Sequence, residues 1–380
     1  MRAESRVAAA PTGSREPACL DPVPIPAVPE EIHAAWLTEA LGVRYPGTVV
    51  EHCERTWVIH GASTLIHLTL RYNVAGDEHG LPRTMIAKGA MEPHSASMSD
   101  LYLREMRFYR DLLPRLKIRA PACYYAARDE TGKSFRTIVL MEDLKARGVT
   151  FCHPLQRHGY AQVARRLEAM AVYHAQMWNH ADLQPGGSLD WVAGSLDSDW
   201  MGGYIERYTD SALWPSILAR PNNVNLPRRF HDPAAHRGAL GQLARLFAAS
   251  SKTLCHGDTH LGNLYVDADG APGFFDPFPS HSPWFYEVTY HLICALDVGD
   301  RRAWEGALLA HYLEALKRQG VDDAPHFSEA WDLYIRNIAW GMFVFIVNEL
   351  NFQTAEINGS YMLRFADAAL THDTYGLLGS

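Results

Sequence analysis

The 380-residue chain is poor in the features that mark special protein classes. Its 6 cysteines (Cys19, Cys53, Cys123, Cys152, Cys255 and Cys294) lie far apart, with no C-x-x-C pair. Such spacing gives neither a zinc site nor a disulfide framework, and it fits a reducing, cytoplasmic setting. No Lys/Arg-rich run is present, and 35 basic against 43 acidic residues leave a formal charge of -8. A phosphate-backbone binder needs a basic face, so general nucleic-acid binding is not expected. Long apolar runs are missing too. The longest, Met342 to Val347, falls far short of the ~20 residues that span a bilayer, so no membrane span is expected. There is no internal repeat. Residues 1 to 29 mix Arg2, Glu4, Arg6, Arg15 and Glu16 with prolines and lack an apolar signal core, which reads as a disordered leader.

What remains is ordinary globular material, 47% hydrophobic and 21% charged, enough to build two lobes. A short amphipathic helix starts at Pro29, carries Ile32, Trp36, Leu37 and Leu41 on one side and stops at Gly42. Thr56 to Tyr72 reads as strand, tight turn at Gly61 to Thr64, and strand; Thr84 to Lys88 is a third strand ending in a lysine. A helix is expected from Met98 to Leu116, and Phe135 to Leu144 is a buried strand that ends in Glu142-Asp143. Lys145 to Gly148 turns the chain out of a first lobe, residues 30 to 144, into a mainly helical second lobe, residues 145 to 380. Tyr160 to Trp178 and Trp331 to Leu350 are its clearest helices, the latter apolar nearly all round and so expected at its centre. The fold class is α+β, a small lobe with an antiparallel sheet and a larger helical one.

The chemistry concentrates in Leu254 to Pro279, L-C-H-G-D-T-H-L-G-N-L-Y-V-D-A-D-G-A-P-G-F-F-D-P-F-P. His256, Asp258 and Asn263 fall in a loop, two short apolar runs flank a turn, and Asp276 follows. Phosphoryl transfer needs this set, because little covalent work falls to the protein. One carboxylate accepts the hydroxyl proton, while an amide oxygen and a second carboxylate hold the metal that bridges the phosphates. Asp258 is the expected base, with Asn263 and Asp276 the expected metal ligands. The first lobe supplies the nucleotide side. Lys88 can reach the α- and β-phosphates of a nucleotide, Glu105 can pair with it, and the turn at Gly61, Ser63 and Thr64 can offer backbone N–H groups. Met141, Glu142 and Leu144 lie on an extended edge whose peptide groups can read an adenine. Glycine turn, lysine, glutamate, hinge, H-G-D-x-x-x-x-N and Asp follow in the order of a two-lobed, protein-kinase-like fold.

H-G-D-T-H-L-G-N followed by F-F-D-P resembles the catalytic and metal loops of aminoglycoside-phosphotransferase-like small-molecule kinases. The stretches Leu103 to Tyr109, Pro121 to Tyr125, Met141 to Leu144 and Tyr173 to Trp178 resemble more narrowly the CHK, or ecdysteroid-kinase-like, branch. The resemblance runs from about residue 30 to 350 and implies an ATP- and Mg2+-dependent kinase of a small-molecule alcohol. Lys88, Glu105, Asp258, Asn263 and Asp276 match its functional positions. Three positions depart from the pattern: Asp276-Pro277-Phe278 stands where the branch has D-F-Q, Glu287-Val288 stands where relatives have Asp-Leu, and Gly61 alone represents the glycine loop.

Other readings of the same residues are simpler. His256 is assigned to holding the loop backbone near Asp276, and Asp267 and Asp269 to a turn. His174 and Trp178 read as core. His256, Asp258 and His260 taken as a zinc cluster would make a hydrolase, but would leave Lys88, Glu105 and the Glu142-Asp143 edge without a purpose. A nucleotide-binding pseudokinase is the alternative to an active enzyme. The aromatic-rich region 186 to 232 is expected to form an apolar acceptor pocket, and its acidic residues are offset by Arg207, Arg220, Arg228 and Arg229. A neutral or lipophilic alcohol is therefore preferred to a polycation, with an antibiotic as the other acceptor class.

Overall fold

The computed structural model describes residues 23–130 and 134–380, so most of the expected leader lies outside the described residues. Ile25 is already buried in the same cluster as Trp36 and Leu37, and the Trp36 indole donates to the Pro24 carbonyl at 2.7 Å. Helix α1 (Ala34–Gly42) follows and covers a sheet of five strands.

The strands are β1 (Val50–His60), β2 (Thr64–Tyr72), β3 (Thr84–Gly89), β4 (Cys123–Arg128) and β5 (Thr137–Glu142), arranged β1-β2-β3-β5-β4 and antiparallel throughout. Alternation decides what each face does. Ile66, Leu68, Leu70 and Tyr72 of β2 join Met85 and Ala87 of β3 in the cluster with α1. The opposite face carries Lys88, whose register partners are Leu65 and Val139, and Ile86, opposite His67 and Met141. Lys88 and Met141 thus share one face because of a two-residue period.

Between the strands lie α2 (Val74–Glu78) and α3 (Ser99–Arg107). The helix expected from Met98 to Leu116 is shorter as an α-helix: a wide turn covers Phe108–Leu112 and a 3-10 turn Leu113–Arg115. Pro114 explains this, since its ring cannot follow α-helical carbonyls and it donates no hydrogen bond. The widened turn points Phe108, Tyr109 and Leu112 into a cluster with Val139 and Met141, fixing α3 on the cleft face of the sheet.

After the short α4 (Leu144–Arg147) the second lobe is built of α5 (Tyr160–Gln176), α6 (Asp199–Tyr208), α7 (Trp214–Leu218), α8 (Pro233–Ala249), α9 (Trp284–Ala295), α10 (Val298–Arg318), α11 (Phe327–Val347), α12 (Ala355–Thr371) and α13 (Thr374–Leu377). Every residue of α9 is buried, so the centre of this lobe is shared between α9 and the expected α11. Helix α11 is also the one helix among the described residues long and apolar enough to cross a membrane, yet 67% of its most apolar window is buried inside the molecule. Its Gly341 permits close packing: a Cβ there would lie 2.1 Å from a ring carbon of the buried Phe365 on α12. Gly341→Ala is expected to cost about 1–3 kcal/mol of unfolding free energy by overpacking, read in a urea titration.

Candidate active site

Strands β7 (Thr253–Cys255) and β10 (Ser280–Ser282) pair at the base of the loop that holds the H-G-D and D-P-F segments; β8 (Leu264–Val266) and β9 (Pro272–Phe274) pair within it, with β6 (Thr150–Phe151) on their outer side. Gly257 has φ +89°, and a Cβ there would lie 1.9 Å from the Phe278 carbonyl oxygen. Only glycine fits, because the two segments touch backbone to backbone: the Phe278 N–H donates to the His256 carbonyl at 2.9 Å. His256 itself is buried, its ring near those of Phe108 and Phe274. Burial lowers its pKa against the pull of Glu287, Asp258 and Asp276, which favours a neutral, structural ring.

Asp258 follows, and its carboxylate is oriented from both sides. Tyr290 on α9 donates its hydroxyl to Oδ1 at 3.2 Å. The Asn263 amide nitrogen donates to Oδ2 at 2.9 Å and to the Asp258 carbonyl at 3.0 Å. His260 Nε2 lies 3.5 Å from Oδ2, and its Nδ1 caps the next turn by accepting from the Gly262 N–H at 3.0 Å. Burial pushes the Asp258 carboxyl up, but His260, His256 and the Tyr290 hydroxyl outweigh it and hold the group below the ordinary carboxylate value. It is therefore ionised near neutral pH and able to accept a proton.

On the neighbouring segment, Asp276 sits in the left-handed region at φ +57°, and its Oδ1 meets the Lys88 ammonium, which also binds Glu105 Oε1 at 2.8 Å. Burial works against the charge on Lys88, but Asp276 and Glu105 together raise its pKa. The buried Glu105 carboxyl is pushed up to about 7, first by burial and with Asp276 adding to it, while Lys88 pulls it down. Asn263 and Asp276 suit a hard divalent cation. The amide nitrogen of Asn263 is committed to Asp258, which leaves its oxygen to face a metal, and the Asp276 side chain is 48% exposed. A backbone bond from the Phe275 N–H to the Asn263 carbonyl, 3.0 Å, ties the Asn263 and Asp276 segments together.

The remaining expected nucleotide residues make their own contacts in the small lobe. Ser63 and Thr64 are buried, and the Thr64 hydroxyl donates to Glu92, which also bonds His60. Gly61 lies in the turn before them, whose Ala62 carbonyl accepts from Tyr102 of α3. Met141 is packed with Met106 and Leu112. The Glu142 side chain accepts from the Ala122 N–H at 3.1 Å and from Arg147 at 2.8 Å, and Leu144 opens α4, which Asp143 caps. Asp267 and Asp269 do more than turn the chain, since both pair with Arg119, at 2.9 and 3.0 Å.

The ecdysteroid kinase-like family matches residues 60–319 of this sequence. The chain belongs to that family. No curated protein matches it. Among solved structures it is similar to the ethanolamine kinase of Plasmodium vivax, at 11% identity and a TM-score of 0.50 over 84% of this chain and 81% of that one. It is also similar to the choline kinase of Streptococcus pneumoniae, with 12% identity, TM-score 0.48 and coverage of 85% and 94%. A macrolide 2'-phosphotransferase of Brachybacterium faecium gives 13% identity, TM-score 0.43 and coverage of 89% and 98%. The likeness to the ethanolamine kinase shows the shared two-lobed, kinase-like fold.

In this member of the family the loop is held from beneath by Glu287, a residue that sequence reading noted only as a departure. Glu287 Oε2 accepts from the Tyr173 hydroxyl at 2.8 Å, from His174 Nε2 at 2.8 Å and from the His256 N–H at 3.2 Å; Oε1 accepts from the Gly257 N–H at 3.0 Å. His174 was expected to be plain core, and its partner on a helix 113 residues away gave no signal in sequence. Among the described residues, the one trio positioned to ligate a metal is His174, Cys255 and Glu287, not the 256 to 260 group. The four donors on Glu287 account for its lone pairs without an ion.

Beside Asp258 opens a cleft of about 740 Å³. Its walls include Trp200, Tyr204 and Tyr208 of α6, with Tyr286, Tyr290 and Trp340 from α9 and α11. Of the other aromatics in the 186 to 232 region, Trp214 and Phe230 belong to the core and Trp191 stacks under Arg107.

Glu287 also sets a pH dependence. Burial raises its pKa, yet His174, His256 and Tyr173 overcome that and hold it below 4.5, its ordinary value. Its stabilisation is then present above the unfolded carboxylate range and is lost as pH falls through the folded value. Glu287→Gln puts an amide N–H where a donor already points. The expected cost is about 1–3 kcal/mol at neutral pH, with a shallower loss of stability below pH ~4 than in the wild type, measured by denaturant unfolding across pH.

Proposed function

We propose that this chain transfers the γ-phosphoryl group of ATP to the hydroxyl of a small neutral or lipophilic alcohol. One observation carries the reading: a lysine is clamped between Glu105 and Asp276, and the segment of Asp276 is joined by backbone hydrogen bonds to the loop in which Asn263 orients an ionised Asp258. The nucleotide belongs to residues 30–144. Adenine lies against the 141–144 edge, and the phosphates lie between the Gly61 to Thr64 turn and Lys88. Residues 145–380 supply the rest.

Asp258 takes the proton of the acceptor hydroxyl as its oxygen bonds to the γ-phosphorus. The bond from that phosphorus to the bridging oxygen breaks, ADP leaves, and the proton passes from Asp258 to solvent. Lys88 holds the phosphate charge in place. Asn263 and Asp276 would hold magnesium, whose chemistry here is neutralisation of the phosphate oxygens. The cleft beside Asp258 receives the acceptor. Its charged lining is limited to Asp258, Glu349 and Arg207, with His94 also in the wall, and Glu349 is engaged by the Tyr208 hydroxyl at 2.8 Å. That balance favours an uncharged, largely apolar acceptor over a polycation.

The test is an ADP-release screen with ATP and magnesium over steroids, sugars, aminoglycosides, macrolides and short-chain alcohols. Turnover with an apolar alcohol is expected, and Asp258→Ala should reduce it at least about 100-fold while leaving ATP affinity unchanged. ATP binding with no phosphorylated product from any class would instead make the protein a nucleotide-binding scaffold.

A further inference from the structure

Helix α3 belongs to two sites at once. Its Glu105 faces the sheet and holds Lys88 at 2.8 Å. Its first turns, with the residues just before them, wall the acceptor cleft through His94, Ser97, Met98 and Leu101. Arg104 lies between these roles. Its side chain is 8% exposed, and its Nε is fixed by Asp100 Oδ2 at 2.8 Å, one turn back on the same helix. The guanidinium carbon lies 4.8 Å from the centre of the Phe278 ring and 5.9 Å from that of Trp200. The two rings are themselves 5.9 Å apart, and both line the cleft. Phe278 stands two residues after Asp276, and its N–H bonds the His256 carbonyl. One buried cation thus touches the metal-loop segment and the acceptor helix α6, while the next residue of its own helix orients the phosphate lysine.

We propose that Arg104 is a positioning residue that couples the acceptor cleft to nucleotide binding, by fixing α3 against Phe278 and Trp200 so that Glu105 presents Lys88 to the phosphates. The proposal rests on the kinase reading above. Neighbouring helix positions point about 100° apart, so a shift of α3 that loosens Arg104 from the rings must also move Glu105. A guanidinium seated on two aromatic faces in a desolvated place prefers one arrangement and resists sliding. Acceptor contacts made with Trp200, Phe278, Met98 and Leu101 then stabilise the same placement of α3 that ATP requires. Binding at the two sites should reinforce each other, and by linkage equally in both directions.

The experiment needs no knowledge of the acceptor. A fluorescent ATP analogue, TNP-ATP, is titrated in magnesium buffer into wild type, Arg104→Met, Arg104→Lys, Phe278→Leu, Trp200→Ala and the Arg104→Met/Trp200→Ala double variant, each checked by thermal melting. Arg104→Met is expected to weaken binding about 2- to 30-fold, the range set by a cation–π contact, and Arg104→Lys to recover most of it. Trp200→Ala, outside the nucleotide site, should weaken binding in the wild-type background and add nothing in Arg104→Met. Should Arg104→Met fail to fold, Phe278→Leu with Trp200→Ala gives the same cycle. Unchanged affinity in Arg104→Met, or full additivity in the double variant, overturns the proposal while leaving the kinase reading intact. A wild-type protein that does not bind the analogue at all overturns the kinase reading and this proposal with it.

Discussion

A single ammonium group holds carboxylates from both lobes. Lys88, at the end of β3, binds Glu105 from the small lobe and Asp276 from the large one, and a lone charge on the enclosed Lys88 or Glu105 would be costly. Burial, with the neighbouring Asp276 adding to it, raises the Glu105 carboxyl, while the two carboxylates keep Lys88 charged. Removing the lysine would leave two facing carboxylates uncompensated. The lobes therefore share a point where the lysine offsets carboxylates from both sides.

The second requirement is a loop that does not drift. Functional groups on loops are only as well placed as the scaffold under them. Here that scaffold is α9, buried along its whole length, which offers Glu287 to the backbone N–H groups of His256 and Gly257 and Tyr290 to the carboxylate of Asp258. Glu287 is in turn locked by Tyr173 and His174 of α5, and His174 by the Tyr312 hydroxyl of α10 at 2.8 Å. A polar network buried this fully is stable only if every member is satisfied, and this one is built so that the loop backbone supplies two of the donors. Loss of the loop's shape and loss of core stability are therefore the same event.

Much of this was legible in sequence because the relevant signals are local. Alternation in Leu65 to Arg71 and the apolar run Thr84 to Lys88 marked two strands, the second ending in Lys88; the H-G-D-x-x-x-x-N spacing marked the loop that joins Asp258 and Asn263. What could not be read was long-range pairing. His174 looks like any apolar-face histidine until Glu287 is seen beside it, and α9 lacks the periodicity that would mark one face, since all its faces are covered. The helix expected from Met98 to Leu116 overran Pro114, whose ring ends the α-helical hydrogen bonding and widens the turn at Phe108–Leu112. Of the aromatic region, one helix ladder, Trp200, Tyr204 and Tyr208, reaches the cleft, and spacing alone did not separate it from the core aromatics around it.

The most direct test of the account is calorimetric titration of ATP, with and without magnesium, into wild type and Asp276→Asn. If Asp276 leaves Lys88 to hold a metal beside Asn263, magnesium should tighten ATP binding markedly in the wild type and have little effect in the variant. Equal ATP affinity with and without magnesium in the wild type would contradict it.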